Sequence, residues 1–124
     1  MEPVSEAVKA AAKEYGIDMP FILLEPGRSI IGAEGITLYT VGSVKDIPGV
    51  RTYVSVDGGM TDNPRYILYQ SEYTVLAANR AGEERNNTIT LAGKCCESGD
   101  LIQENTKTQN VKPGDIIAVL TTGA

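Results

Sequence analysis

Apolar residues recur along this chain in two rhythms, and the change between them divides it. Val4, Ala7, Val8, Ala11, Ala12 and Tyr15 fall at helical spacing. That period gathers them on one face of an α-helix over residues 3–15. Pro3 suits the first helical position, where an N–H would be unpaired anyway, and Gly16 suits the stop. Phe21-Ile22-Leu23-Leu24 then forms a continuous apolar run. Such a run predicts a short strand buried on both faces, as in a parallel sheet. A helix followed by a buried strand has the form of one unit of an α/β barrel, and one unit cannot close a barrel.

From Ile36 the pattern changes. β-Branched and aromatic residues concentrate in 36–44, 51–57, 73–79, 88–93 and 115–121. Turn signals separate them at Ile47-Pro48-Gly49, Asp57-Gly58-Gly59, Asn86-Asn87, Ser98-Gly99-Asp100 and Lys112-Pro113-Gly114-Asp115. Short strands so punctuated predict an antiparallel β-sandwich or barrel. The polar stretch 106–110 reads as an exposed loop. The expected fold is mainly β. A C-terminal β domain over 29–124 follows a helix–strand unit over 1–28, and it is read as incomplete because its last apolar strand runs almost to Ala124.

Composition narrows the chemistry. The 124 residues suffice for one domain with a modest core, filled mostly by Val, Ile, Leu and Ala, since there are six Tyr, one Phe and no Trp. The net charge of -5 and the absence of a basic run argue against a nucleic-acid surface. No apolar stretch approaches the roughly 20 residues of a membrane span. The acidic, polar start lacks the basic and apolar blocks of a secretory signal, so a cytoplasmic location is expected. There is no histidine, and the only cysteines are adjacent at 95 and 96. That excludes a zinc site and any Ser-His or Cys-His nucleophile within the chain, and adjacent cysteines bridge only under strain. No metal is expected. Acids and bases must come from Cys, Glu, Asp, Lys or Tyr.

Three runs can carry such chemistry. Glu25-Pro26-Gly27-Arg28 follows the apolar run, and the C-terminal end of a barrel strand is where such folds hold ligands. Gly27 lets backbone approach an anion, Arg28 can grip a phosphate or carboxylate, and Glu25 could face a heteroaromatic nitrogen. The same residues also suit a Pro-Gly turn with a surface ion pair. In Asp57-Gly58-Gly59-Met60-Thr61-Asp62-Asn63-Pro64-Arg65 and the residues after it, Arg65 and Tyr69 stand four apart. On a helical turn they share a face, as a carboxylate clamp or as a solvated turn beside a packed tyrosine. Gly93-Lys94-Cys95-Cys96-Glu97-Ser98-Gly99-Asp100 puts a thiol beside a carboxylate between glycines. An accessible thiol can donate a proton and a carboxylate can hold an ammonium; the alternative is two buried cysteines entering a turn.

Taken together and in this order, the three runs resemble the C-terminal part of diaminopimelate decarboxylase, a family of fold-type III pyridoxal-phosphate (PLP) enzymes. The resemblance covers Glu25 to Ala124. It implies PLP as cofactor and decarboxylation of meso-2,6-diaminopimelate to L-lysine, the last step of lysine biosynthesis. It implies that Glu25 pairs the pyridine nitrogen, that Pro26 and Gly27 lie at the phosphate, and that Arg28 reaches cofactor and substrate. Arg65, Tyr69 and Glu97 would contact substrate, and Cys96 would be the proton donor, with Cys95 packed away. Tyr66 stands where the family often has proline.

The family works as a homodimer in which the Cys-Glu pair is presented to the partner's cofactor. No lysine here matches the one that holds PLP, so the chain alone is expected to be inactive and to self-associate. Two alternatives share these residues: a non-catalytic β-domain binding or regulatory module, and a decarboxylase of the related ornithine or arginine type. Glu97-Ser98-Gly99 favours the diaminopimelate branch.

Overall fold

A computed structural model of the chain describes residues 2–123; Met1 and Ala124, the outermost residues of the two expected units, lie outside it. Helix α1 spans Glu2–Tyr15. It stops as the glycine predicts: Gly16 takes φ +63°, and the Ile17 amide donates to the Ala12 carbonyl at 3.1 Å. That is the six-to-one bond of a glycine-terminated helix. Val4 of α1 lines a small apolar groove with Ile22 and Leu24. The strand expected at Phe21–Leu24 forms no ladder with any described strand, and Phe21 is 94 % exposed. A strand is held by neighbours, and none of the described strands reaches this one.

The five expected strands all form. They are β1 (Ile36–Ile47), β2 (Arg51–Val56), β3 (Val75–Ala77), β4 (Asn87–Ala92) and, after one strand the pattern missed, β6 (Ile116–Leu120). The missed strand is β5 (Leu101–Thr108). The sheet order is β3-β6-β1-β2-β4-β5. β1 serves two ladders: Ile36–Thr40 pair antiparallel with β6, and Val41–Ile47 pair antiparallel with β2. The register shifts between Val41 and Ser43, a bulge that bends the strand from one ladder into the next. Fully buried Val54, Val75, Leu91, Ile102, Ile117 and Val119 from five strands make the centre of the core.

One ladder departs from the antiparallel expectation. β2 and β4 run parallel, Tyr53 opposite Thr90 and Val54 opposite Leu91. Parallel neighbours cannot be joined by a tight hairpin. Residues 57–86 therefore cross over between them, and that crossover carries β3 and helix α3 (Arg65–Tyr69).

The ends of the order, β3 and β5, meet without a ladder, and side chains stitch this seam. Gln103 Oε1 accepts from the Tyr73 amide at 2.7 Å, and Gln109 Oε1 accepts from the Ala77 amide at 2.8 Å. Arg85 Nη2 donates to the carbonyls of Val75 at 2.9 Å and Lys107 at 2.7 Å. The loop expected at 106–110 is thereby corrected: Thr106, Thr108 and Gln109 are buried. A buried backbone amide must find an acceptor, and here polar side chains supply it, which makes β5 look like a loop by composition.

Outside the barrel, Ile30 and Ile31 of the short helix α2 (Arg28–Ile31) are exposed, as are Ile36 and Leu38 of β1. No described helix is long and apolar enough to cross a membrane.

Candidate functional site

Two of the three sequence runs meet, and Asp100 joins them. It is 2 % exposed. Oδ1 accepts from the Met60 amide at 2.6 Å and Oδ2 from the Cys95 amide at 2.7 Å. The Lys94 amide donates to the Gly58 carbonyl at 3.0 Å, a second tie between loops 57–64 and 93–100. Glycine is required around this carboxylate, because a Cβ at Gly59 or Gly93 would collide with it.

The first loop is also fixed from within. Asp62 Oδ1 accepts from the Gly59 amide at 2.9 Å, and its Oδ2 accepts from the Tyr39 hydroxyl at 2.6 Å. Burial, then the Asp62 carboxylate, pushes the Tyr39 hydroxyl well above its ordinary value, so it stays a donor. At the loop's start, Asp57 Oδ1 accepts from the Thr40 amide at 2.8 Å, which holds its carboxyl below the usual range.

α3 follows directly. Its guanidinium and ring share a face as the spacing predicts, with Arg65 5.3 Å from the centroid of Tyr69. The buried Arg65 Nε has no hydrogen-bond partner among the described residues. The helix is anchored twice. Tyr66 donates its hydroxyl to Glu104 Oε2 at 2.6 Å, and Ile67 packs where a Gly99 side chain would stand. Glu104 also pairs with Arg51. Its carboxylate pushes Tyr66 up to about 12, and the tyrosine and arginine hold the carboxyl of Glu104 low. The sequence pattern gave no role to Tyr66, Glu104 or Asp62; only the position of Asp62 and Tyr66 in the 57–69 stretch pointed towards them.

On the side of α3 opposite Arg65 and Tyr69, Ile67 packs against Gly99 of the cysteine loop. Residues 94–96 form a bend rather than an extended strand, with Cys95 half-buried and Cys96 exposed. Glu97, also exposed, accepts from Ser98 Oγ at 3.2 Å and the Gly99 amide at 3.3 Å. The turn closes with the Asp100 amide donating to the Glu97 carbonyl at 3.0 Å. The arrangement offers a cation for an anionic ligand, a carboxylate for a cationic one, and an accessible thiol between glycines.

The third run lies differently. Glu25, Pro26 and Gly27 are exposed coil. Arg28 donates from Nη2 to the Thr121 carbonyl at 2.6 Å and lies 5.8 Å from the Tyr73 ring centroid. The Thr122 and Gly123 amides donate to the carbonyls of Gly35 and Gly32, binding this segment to the end of β6. Arg28 still reaches the site by relay: Tyr73 donates its hydroxyl to Asn63 Oδ1 at 3.2 Å, two residues before Arg65. A pyridoxal phosphate needs a carboxylate for its ring nitrogen, amide and guanidinium donors for its phosphate, and room beside the backbone. Glu25, Gly27 and Arg28 fit that chemistry, and nothing stands within 4 Å of a Cβ position at Gly27.

Known proteins resemble the chain throughout. The family model for the C-terminal sheet domain of pyridoxal-dependent decarboxylases matches residues 31–123. The diaminopimelate decarboxylase of Bacillus subtilis (strain 168) is 56 % identical over 124 residues, which is 100 % of this chain and 28 % of that protein. The Staphylococcus aureus (strain COL) diaminopimelate decarboxylase is 49 % identical, over 100 % of this chain and 30 % of its own length. The crystal structure of diaminopimelate decarboxylase from M. jannaschii in complex with L-lysine matches at a TM-score of 0.72 and 29 % identity, covering 96 % of this chain and 27 % of that one. The chain thus spans less than a third of the length of the curated relatives it matches. It belongs to the pyridoxal-dependent decarboxylase family, and residues 31–123 match that family's C-terminal sheet domain.

Proposed function

We propose that this chain is the C-terminal part of a PLP-dependent diaminopimelate decarboxylase, converting meso-diaminopimelate to L-lysine. Residues 29–124 form its β domain and residues 1–28 the last helix–strand unit of its barrel. The observation that carries this reading is that Asp100 and Ile67 tie the segment bearing Arg65 and Tyr69 to the Cys96–Glu97 turn. A diamino diacid presents a carboxylate and an ammonium beyond the carbon that reacts, and the two tied segments carry one group of each kind. The named relatives and the L-lysine in the M. jannaschii complex support the same substrate class.

The cofactor, when bound, supplies an electron sink for the pair left by the breaking carbon–carbon bond. The chain's own groups do the rest. Arg65, with the Tyr69 ring behind it, holds a substrate carboxylate. Glu97 holds the distal ammonium of the substrate bound at the partner subunit. Cys96, exposed beside it, delivers a proton from Sγ to the carbon that has lost its carboxylate. Glu25 and Gly27 line the cofactor's ring nitrogen and phosphate, and Arg28 secures that segment to β6.

Cys96 and Glu97 act on the cofactor of a partner subunit in a homodimer. The exposed Ile30, Ile31, Ile36 and Leu38 support a covered position in a larger assembly. The chain by itself releases no carbon dioxide, because no lysine in it takes the cofactor-binding role. The ornithine or arginine alternative lacks a use for Arg65, because those substrates have no distal carboxylate. The binding-module alternative lacks one for the thiol itself.

The test is the full-length protein assayed with PLP and meso-diaminopimelate, alongside Cys96→Ala. Carbon dioxide and lysine release, reduced at least about a hundredfold by the substitution, is expected for a lost general acid. No release, or release indifferent to Cys96, overturns the assignment.

A further inference from the structure

Two thiols stand next to each other at 95 and 96, yet the proposed chemistry uses one. We propose that Asp100 is a positioning residue that decides which: its carboxylate draws Cys95 inward and leaves Cys96 facing solvent.

Three observations carry this. The Asp100 carboxylate is buried and takes the Cys95 amide at 2.7 Å, while its other oxygen is held by the Met60 amide at 2.6 Å. The carboxylate therefore cannot turn away without leaving two part-buried amides unpaired. Second, Gly59 and Gly93 leave room for it and for nothing more, so its position is fixed by backbone on two sides. Third, the bend at 94–96 gives the adjacent side chains different fates, Cys95 half-buried and Cys96 exposed.

The electrostatics agree. The nearby Asp100 carboxylate, then burial, pushes the Cys95 thiol above its ordinary value. Asp62 on the neighbouring loop adds to the rise, and Lys94 opposes it. A thiol held as the acid is a poor nucleophile and a poor ligand. Asp100 thus silences one cysteine while the turn it closes, from Glu97 to its own amide, presents the other. The selection stands on this geometry alone; only the use of the Cys96 proton rests on the decarboxylase reading.

The test is alkylation with iodoacetamide across pH 6 to 10, read by mass spectrometry of the peptide that holds both thiols. The full-length protein is compared as Cys96→Ala, in which Cys95 remains, and Cys95→Ala, in which Cys96 remains. Cys96 is expected to react at least about tenfold faster at pH 8, and the Cys95 profile to be displaced to higher pH. Adding Asp100→Asn to Cys96→Ala should move the Cys95 profile down towards an ordinary thiol, which loss of fold alone would signal instead by circular dichroism. Equal rates and equal profiles for the two thiols overturn the proposal, whether or not the Asp100 variant folds. A folded Asp100→Asn protein with an unmoved Cys95 profile overturns it too. Neither readout depends on decarboxylation, so an inactive enzyme leaves this result standing.

Discussion

Gln109→Leu tests the seam between β3 and β5. Gln109 is 1 % exposed, and its Oε1 accepts from the Ala77 amide at 2.8 Å and the Thr108 hydroxyl at 3.2 Å. Leucine nearly conserves volume and removes the one acceptor that serves both donors. Ala77 is fully buried, so its amide has no water to turn to. An orphaned buried donor costs about 1–3 kcal/mol, and the Thr108 hydroxyl adds up to about 1 kcal/mol. The apolar side chain returns about 1 kcal/mol of burial. The net loss is about 2 kcal/mol. With an m-value of about 2 kcal/mol per molar urea for a chain of this size, the unfolding midpoint should fall by about 1 M. Asn110→Ala, exposed next door, should change stability by less than about 0.5 kcal/mol. Hydrogen exchange should show the Val75–Ala77 amides losing protection before those of the β1–β2 ladder. A midpoint within about 0.3 M of the parent, or uniform loss of protection, would refute the claim that side-chain amides close this barrel.

Two further outcomes follow from the electrostatics. Asp115 is buried and its carboxyl lies below the ordinary 3.8, chiefly through the Asn79 side chain, with the Lys112 amide and Arg80 also favouring the charge. A lowered carboxyl stabilises the fold above its unfolded value and loses that contribution as pH falls through the folded one. Urea midpoints should therefore drop below about pH 4 in the parent and drop less steeply in Asp115→Asn, and parallel curves would sink the assignment. At the site, Arg65→Lys keeps the charge but gives up the planar fork over Tyr69. In the full-length enzyme, KM for meso-diaminopimelate should rise about tenfold, equivalent to roughly 1.4 kcal/mol, with kcat changed less; an unaltered KM would remove Arg65 from substrate binding.

Legibility from sequence followed the physics of each segment. α1 was legible at both ends because period and stop agree, and Gly16 does take the left-handed conformation its position suggests. β2 and β4 alternate or run apolar and were found; that they pair in parallel was not, since partner choice is made by the whole barrel. β5 was hidden because the residues that bury it are Gln103, Thr106 and Thr108, polar side chains serving as backbone acceptors or fillers at a seam. Phe21–Leu24 shows the reverse error: an apolar run has the composition of a strand, but composition supplies no neighbour. Arg65 and Tyr69 came together as their spacing required, since a helical turn is local. Asp100 stood inside the quoted run, yet its role depends on Met60, forty positions away, and no local pattern encodes that distance.

The double duty of β1 sets the order in which this protein can come into being. Its second half is satisfied almost at once by β2, but its first half waits for β6: the Thr37 hydroxyl hydrogen-bonds that of Thr122 across 85 positions of chain. At synthesis rates of about 5–20 residues per second, that edge stays bare for roughly 4–17 s. A long strand with one unpaired edge is what neighbouring nascent chains pair with most readily. Until the ribosome delivers Ile116–Leu120, that edge is open to pairing with another chain.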